Sequence, residues 1–372
     1  MSKQFSISPR AVPSWTLRVS VPFAALVAAA IIGGSILALS GSNPLEAYRT
    51  MVDASFNGSR SVTRTLTLAT PLILTGLAAA VAFRMKIWNI GAEGQLYIGA
   101  VTASGLALAL PTTTPRSITI AIILIGGIAA GAVWAGLAAI PKAYFSADEV
   151  ITTLMLNFVA LSFMNYLIFG TVSSWRNPET RYPEGLQITE NAKLPMISYR
   201  LHYGIVIAIV AAILFWWILR RTTYGFELRT IGDSQEASRY AGMRVNTKIL
   251  SVLALSGALA GGAGAIEVSG VVGRLDPHAL STHELGFTGI VVAAVARLNC
   301  MTVIPVAVLL AALMTSGSSL QRVLGIQPEI VFFLQGLIFL FVAAGEFFLA
   351  NKVNITTKVP TRLEVDGGLT GE

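Results

Sequence analysis

The sequence predicts an all-α integral membrane protein, built as a bundle of about ten transmembrane helices. Of its 372 residues, 54% are hydrophobic and only 12% are charged, whereas an ordinary soluble domain has about 25% charged residues. Apolar runs long enough to cross a hydrocarbon core of ~30 Å recur along the chain. Because lipid offers no hydrogen-bond partners, each run must pair its own backbone, as a helix does.

Ten candidate spans follow from these runs. The first is too long for the apolar core of a signal peptide and is expected to remain as an uncleaved helix. The eighth is short for a full crossing and is expected to be broken or tilted. Together they predict a membrane domain over 17–350, between an N-terminal tail (1–16) and a C-terminal tail (351–372). The spans are 17–40, 63–83, 87–110, 117–140, 150–170, 201–219, 248–272, 285–298, 302–320 and 329–350.

The distribution of positive charge predicts the orientation. Placing both termini in the cytoplasm puts 16 of the 26 Lys and Arg residues on the inner side, as the positive-inside rule requires. Segment 220–247 is then a cytoplasmic loop, and 171–200 is a long outer loop. The outer loop is either a docking segment or a solvated connector.

Several chemistries have no support in the sequence. The net charge of +7 fits basic cytoplasmic loops, and no basic patch interleaved with aromatics suggests nucleic-acid binding. Cys300 is the only cysteine and the three histidines show no ligand spacing, so no metal or cofactor is expected. No Gly-Lys dipeptide occurs, which excludes a P-loop. We therefore expect no enzymatic activity in this chain.

Polar residues cluster at the start of the third span, where Asn89, Glu93 and Gln95 precede an apolar run. A carboxylate within a membrane helix costs about 2.5–3.5 kcal/mol on insertion scales, so it usually faces a partner or a water-filled path. Asn89 and Glu93 are four residues apart and share a helical face. These residues either line a substrate path or pin neighbouring helices together.

A second polar stripe begins the fifth span, where Thr153 and Asn157 follow Glu149 at helical spacing. Such a stripe lines a path or hydrogen-bonds neighbouring helices. For Thr153 and Asn157 the helix-to-helix role is favoured.

The seventh span contains small residues at the spacing used for close helix packing, namely Gly257, Gly261 and Gly264. Glu267 follows one turn later as another carboxylate in an apolar span, and it is a candidate for the path.

A further hypothesis is an inverted repeat of five plus five spans with broken helices. The third span reads EGQLYIGAVTAS from Glu93, and the eighth reads ELGFTGIVVAAV from Glu284. Broken elements at corresponding positions mark binding sites in many transporters. Glu284 and Thr288 therefore join the candidate path residues.

The cytoplasmic loop is expected to contain a short helix over 234–241. Gly232 and Asp233 precede it, and Gly242 ends it in the manner of a C-cap. A defined helix in a basic loop suggests a docking surface.

These segments together resemble a known family. NIGAEGQLYIGA at 89–100, DEVITTLMLNFVA at 148–160 and GFELRTIGDSQEASRYAGMRVNTKILSVLALSGALAGGAGA at 225–265 resemble the permease subunits of bacterial ABC importers for nucleosides and simple sugars. That group is related to the ribose and branched-chain amino acid permeases. The resemblance extends over about residues 17–350.

The resemblance implies a membrane subunit in the bacterial cytoplasmic (inner) membrane that translocates a nucleoside or related sugar-containing solute. It implies three partners: a separate ABC ATPase, a second permease (a heterodimer being favoured over a homodimer) and an extracytoplasmic substrate-binding protein. Segments 41–62 and 171–200 would face the binding protein. The residues implied to couple to the ATPase are Gly232, Asp233, Glu236, Ala237, Tyr240 and Gly242.

The sequence departs from the family pattern at one turn, and two alternatives to this function remain open. The turn after the eighth span reads Ala296-Arg-Leu-Asn-Cys300, where the family usually shows a Gly-Arg-x-x-Pro-like turn, and this weakens transfer of a named substrate. A monosaccharide or branched-chain amino acid is an alternative solute. An ion-coupled secondary transporter using Glu93 and Glu267 as proton relays is an alternative mechanism.

Overall fold

The computed structural model describes residues 2–9, 14–170, 175–180, 182–327 and 329–358. Helices account for most of this part of the chain, because a helix satisfies its own backbone hydrogen bonds. They are α1 (Trp15–Leu39), α2 (Pro44–Phe56), α3 (Ser59–Phe83), α4 (Ala92–Ala109), α5 (Arg116–Phe145), α6 (Glu149–Phe169), α7 (Gly204–Arg221), α8 (Thr223–Asp233), α9 (Gln235–Tyr240), α10 (Val245–Glu267), α11 (Pro277–Ser281), α12 (Leu285–Val295), α13 (Cys300–Leu324) and α14 (Glu329–Ala350).

Two small antiparallel sheets accompany the helices. Strand β1 (Ser2–Pro9) pairs with β4 (Asn351–Lys358), so the two terminal tails meet over these residues. Strand β2 (Met196–Ser198) pairs with β3 (Leu201–His202) in the connection before α7. The rest of the predicted C-terminal tail lies outside the described residues.

The all-α membrane fold predicted from composition is confirmed. Within the described residues, α1, α3, α5, α6, α7, α10, α13 and α14 are each long and apolar enough to cross a membrane. The other two predicted spans correspond to α4 and α12. Helix α4 begins at Ala92 rather than 87, and its polar residues keep it less apolar than the eight. Helix α12 has only 11 residues, in line with its predicted shortness.

Helices α3 and α10 form the centre of the bundle, because most of their surface is buried whereas α1, α5 and α6 expose most of theirs. Helix α10 packs against α5, α4 and α3. A Cβ at Gly257 or Gly261 would overlap the backbone at Gly131 of α5, and one at Gly264 would overlap the backbone at Leu96 of α4. Only glycine permits these helix axes to approach so closely.

Three helices were not predicted from the sequence: α2 within 41–62, α8 within 220–247, and α11 between the predicted spans 248–272 and 285–298. Helix α2 is amphipathic and too polar to stand out as an apolar run, although Asn43 caps it and Pro44 occupies its first turn. The predicted short helix is present as α9: Ser234 Oγ accepts a hydrogen bond from the Ala237 N–H, and Gly242 follows with φ of 80°.

The bundle has two distinct ends. The loop end carries 175–180 and 182–203, and there Asn191 Nδ2 donates to the Thr114 carbonyl at 3.0 Å. The α8–α9 end lies opposite, because α7 connects the two. There Lys86 pairs with Asp233 at 3.3 Å, and Arg84 Nη2 donates to the Leu298 carbonyl at 3.2 Å.

Candidate functional site

A broken helix lies inside the bundle, formed by α11, residues 282–284 and α12. Glu284 marks the break with φ of 43°, in the left-handed region that residues with a Cβ rarely adopt. Thr75 Oγ1 donates to the Leu285 carbonyl at 2.9 Å. Measured along the helix axis, Thr75 lies roughly 12 Å from the last residue of α3. The N-terminus of α12 is therefore well inside the bundle, and α12 is a half-helix of about 16 Å.

The carboxyl group of Glu93 caps this half-helix. Its Oε2 accepts hydrogen bonds from the N–H of Gly286 at 2.5 Å and of Phe287 at 3.2 Å. Its Oε1 accepts from the Tyr97 hydroxyl at 2.7 Å, and only 2% of Glu93 is exposed. The first N–H groups of a helix have no partner within the helix and carry a partial positive charge. The Glu93 carboxylate provides both the missing hydrogen-bond acceptor and the complementary negative charge.

The segment that enters α4 is held by α6. Residues 87–91 have no regular backbone pairing, and α6 provides partners for them. Thr153 Oγ1 accepts from the Ile90 N–H at 3.2 Å, and Asn157 Nδ2 donates to the Ile90 carbonyl at 2.9 Å. Asn157 Oδ1 also accepts from the Gly94 N–H at 2.8 Å. Thr153 and Asn157 thus satisfy irregular backbone that lipid would leave unpaired.

A buried polar network joins α3, α4 and α10. Asn89 Nδ2 donates to Gln95 Oε1 at 3.0 Å and to Ser256 Oγ at 2.8 Å. Gln95 Nε2 donates back to Asn89 Oδ1 at 3.0 Å, and Ser256 Oγ donates to the Ala78 carbonyl at 2.7 Å. Asn89, Gln95 and Ser256 are all buried. These contacts join three helices at one buried point.

A cavity of about 550 Å³ opens near the loop end, between α3, α10, α11, α13 and α14. Residues from several elements line it, including Arg64, Arg200, Glu267, His283, Thr315 and Gln321. Its volume is in the range of small-molecule sites, about 300–1,000 Å³.

The predicted path residues divide between this cavity and its surroundings. Glu267 lines the cavity. Thr288 Oγ1 donates to the carbonyl of the cavity residue His283 at 3.4 Å, and Glu284 is an exposed residue at the helix break. The remaining candidates do not line the cavity and lie in the hydrogen-bonded networks above: Asn89, Glu93, Gln95, Thr153 and Asn157.

Sequence reasoning missed the cavity walls contributed by α3 and α13. Arg64 was a basic residue beside an apolar run, and Thr315 was one hydroxyl within the apolar helix α13. The only available signal was a polar residue in an apolar span, and such residues more often pin helices.

Glu267 stands at the junction of α10 with a π-helix over Val268–Val272. Such wide turns occur often at functional sites. The π-helix is fixed from outside, because Ser269 accepts a hydrogen bond at its carbonyl from the Leu194 N–H at 2.8 Å. The imidazole of His202 packs against Gly270, where a Cβ would lie 2.8 Å from the ring.

The mouth of the cavity is positively charged. Arg64 and Arg200 both line it, and Arg64 Nη2 donates to Ser318 Oγ at 3.4 Å. In the part of the chain that the structure describes, neither guanidinium forms an ion pair with a carboxylate.

The predicted coupling residues lie together at the α8–α9 end. Gly232 is half-buried, and a Cβ there would lie 2.8 Å from the Arg84 carbonyl oxygen. The others are exposed, Tyr240 by 88%. They are Asp233, Glu236, Ala237, Tyr240 and Gly242.

Residues 61–343 match a family model described as the permease component of the branched-chain amino acid transport system. This match extends over well more than half of the chain. The chain belongs to this permease family. The membrane helices, the broken helix and the cavity are thus features of a transport permease, which is a multi-pass membrane protein and not itself an enzyme.

Individual relatives extend the similarity of this permease to nearly full length. The glucose ABC transporter permease protein TsgB13 of Haloferax volcanii is 31% identical over 95% of both chains. The guanosine ABC transporter permease protein NupP of Bacillus subtilis is 35% identical over 87% of this chain and 93% of its own. A second guanosine permease protein of that organism, NupQ, is 28% identical over 56% of this chain and 66% of its own.

Proposed function

We propose that this permease is the membrane subunit of an ATP-driven importer and that it translocates a nucleoside or a related simple sugar. The observation that carries this proposal is the near full-length similarity to relatives named as guanosine and glucose permeases. The cavity supports it physically, because about 550 Å³ suits a solute of that size.

The energy for transport comes from a separate ATPase. The sequence contains no Gly-Lys dipeptide and hence no P-loop to hold ATP phosphates. The ATPase docks on the α8–α9 end, where Asp233, Glu236, Ala237 and Tyr240 are exposed. The basic residues of 220–247 favour a cytoplasmic position for this end and for both termini under the positive-inside rule.

Two further proteins complete the importer. An extracytoplasmic binding protein delivers solute to the loop end, where α2 and residues 182–203 lie. A second permease pairs with this one as a heterodimer, because two guanosine permease proteins of one organism, NupP and NupQ, both resemble this chain. The complex resides in the bacterial cytoplasmic (inner) membrane.

The solute enters through the cavity and passes the break between α11 and α12. Glu267, Glu284 and Thr288 lie along this route. Glu284 is exposed at a depth where a lipid-facing carboxylate is strongly disfavoured, so it faces water or protein in the assembled importer. Asn89, Glu93, Gln95, Thr153 and Asn157 act on the route indirectly, because they hold the elements that surround the break.

Uptake of labelled guanosine and labelled glucose by proteoliposomes tests this function. Vesicles containing both permeases, the ATPase and internal ATP, with loaded binding protein outside, should accumulate one of these solutes. Vesicles without the binding protein are the control and should not. Accumulation of leucine in place of both solutes would instead assign this permease to amino acids, which its family description also includes.

A further inference from the structure

Two buried polar groups on different helices of the cavity wall each contain an atom without a hydrogen-bond partner in the part of the chain that the structure describes. Glu267, at the end of α10, is 7% exposed, and Thr315, in α13, is 4% exposed. Glu267 Oε2 and Thr315 Oγ1 form no hydrogen bond within the described residues. Both residues line the same cavity.

Several groups of the same chemistry in this bundle are satisfied, although the buried Ser104 hydroxyl of α4, which does not line the cavity, also has no hydrogen-bond partner within the described residues. Glu93 uses both carboxyl oxygens. The hydroxyls of Thr67, Thr70 and Thr75 donate to carbonyls four residues earlier in their helix, which is the usual arrangement for a helical threonine. Leaving a buried polar group unpaired costs free energy, so Glu267 and Thr315 are not explained by helix pinning.

The surroundings of Glu267 are rigid. The π-helix that follows it is anchored through the Leu194-to-Ser269 hydrogen bond and through His202 against Gly270. A buried acceptor held in place by its neighbours is well suited to recognise a ligand, because little ordering is needed when the ligand binds.

The charges around the cavity select a class of solute. Arg64 and Arg200 at the mouth repel a cation, whereas the buried Glu267 carboxyl group deeper in the cavity offers an anion no positive partner. A neutral solute rich in O–H and N–H donors meets neither barrier. Carboxyl and hydroxyl oxygens are acceptors for such donors.

We propose that Glu267 and Thr315 form a binding subsite for the hydroxyl-bearing sugar part of a neutral solute. The subsite rests on the proposed function, since it assigns a recognition step to the importer. Glu267 accepts hydrogen bonds from sugar hydroxyls, and the Thr315 hydroxyl provides a second contact from α13. The solute thereby bridges α10 and α13 on its way to the α11–α12 break.

The test uses the complete importer in proteoliposomes, with uptake of labelled guanosine and labelled glucose normalised to the amount of assembled complex. Glu267→Gln and Thr315→Val should each lower the initial uptake rate at least tenfold. Thr315→Ser, which keeps the hydroxyl, should stay within about twofold of the unaltered importer. Thr70→Val is the matched control, because Thr70 is a buried hydroxyl with a partner on its own helix, and its uptake should be normal.

The outcomes separate the two proposals. Normal uptake by both Glu267→Gln and Thr315→Val would overturn the subsite alone. Equal loss in Thr315→Val, Thr315→Ser and Thr70→Val would also overturn it, because it would indicate a packing defect. If Glu267→Gln does not insert, the comparison of Thr315→Val with Thr315→Ser decides. An unaltered importer that moves neither solute would overturn the proposed function and the subsite with it.

Discussion

The carboxyl group of Glu93 accepts a hydrogen bond at 2.5 Å from the backbone N–H of Gly286, a residue 193 positions later in the chain. The contact joins the first turn of α4 to the first turn of the half-helix α12. It places a negative group at the positive end of a helix that begins inside the bundle. The position of the α11–α12 break therefore depends on a side chain of another helix.

Removing this cap should loosen α12. In Glu93→Ala the N–H groups of Gly286 and Phe287 lose their acceptor at a buried site, and we expect a loss of about 1–3 kcal/mol in stability. Glu93→Gln retains a neutral acceptor and should lose less. Hydrogen exchange at residues 285–288 measures the effect directly. Glu46→Ala, at an exposed position in α2, is the control, and equal exchange in Glu93→Ala and Glu46→Ala would contradict the capping role.

The contact between α5 and α10 should tolerate no side chain at its centre. Gly261→Ala would place a Cβ against the backbone of Gly131, and the forced separation should cost about 1–3 kcal/mol. Gly136→Ala on α5 is the matched control, because nothing lies within 4 Å of its added Cβ. Thermal midpoints of the purified variants give the comparison. Equal thermal midpoints for Gly261→Ala and Gly136→Ala would show that the close approach of α5 and α10 does not determine the stability of the protein.

Docking of the ATPase should depend on the exposed surface of α9. Ala237→Arg adds a bulky charge at an exposed position, so the permease should still insert while retention of the ATPase falls at least tenfold. Co-purification from detergent measures this. Tyr182→Ala alters a residue exposed by 77% at the loop end and should retain the ATPase fully. Undiminished retention in Ala237→Arg would move the docking site away from α9.

The folded protein should become less stable as the pH falls, because of a buried histidine at the loop end. His202 lies in β3, in the connection before α7, and it is fully buried. This burial lowers its pKa from 6.5 to about 4. The unfolded chain therefore takes up the proton first, and stability decreases as the pH drops from about 6.5 toward 4. Thermal midpoints at pH 7.5 and pH 5 should differ more for the unaltered chain than for His202→Gln. Identical pH dependence in both would show that His202 contributes nothing to it.

Composition was sufficient to predict most of the helices, because a chain in lipid has few ways to pair its backbone. The start of α4 was placed too early. The apolar run does begin near residue 87, but Ile90 is paired with Thr153 and Asn157 of α6 instead of with its own helix. Helix α2 was missed because its polar face hides it from a search for apolar runs.

Less of the candidate site could be predicted from the sequence. Glu93 stands out as a carboxylate in an apolar span, but nothing in its neighbourhood indicates Gly286 as its partner. Glu267 was recognised by the same signal, and the structure places it in a very different setting, where its Oε2 has no hydrogen-bond partner among the described residues. Thr315 could not be singled out, since its missing helix bond is visible only in three dimensions.

The source of energy for transport tests the central claim most directly. Guanosine and glucose uptake is measured in proteoliposomes that contain this permease alone or the complete importer, with internal ATP or with an imposed proton gradient. The permease-subunit account predicts ATP-dependent uptake only by the complete importer, and none by the lone permease under either condition. Uptake by the lone permease driven by the proton gradient would contradict it and establish a secondary transporter.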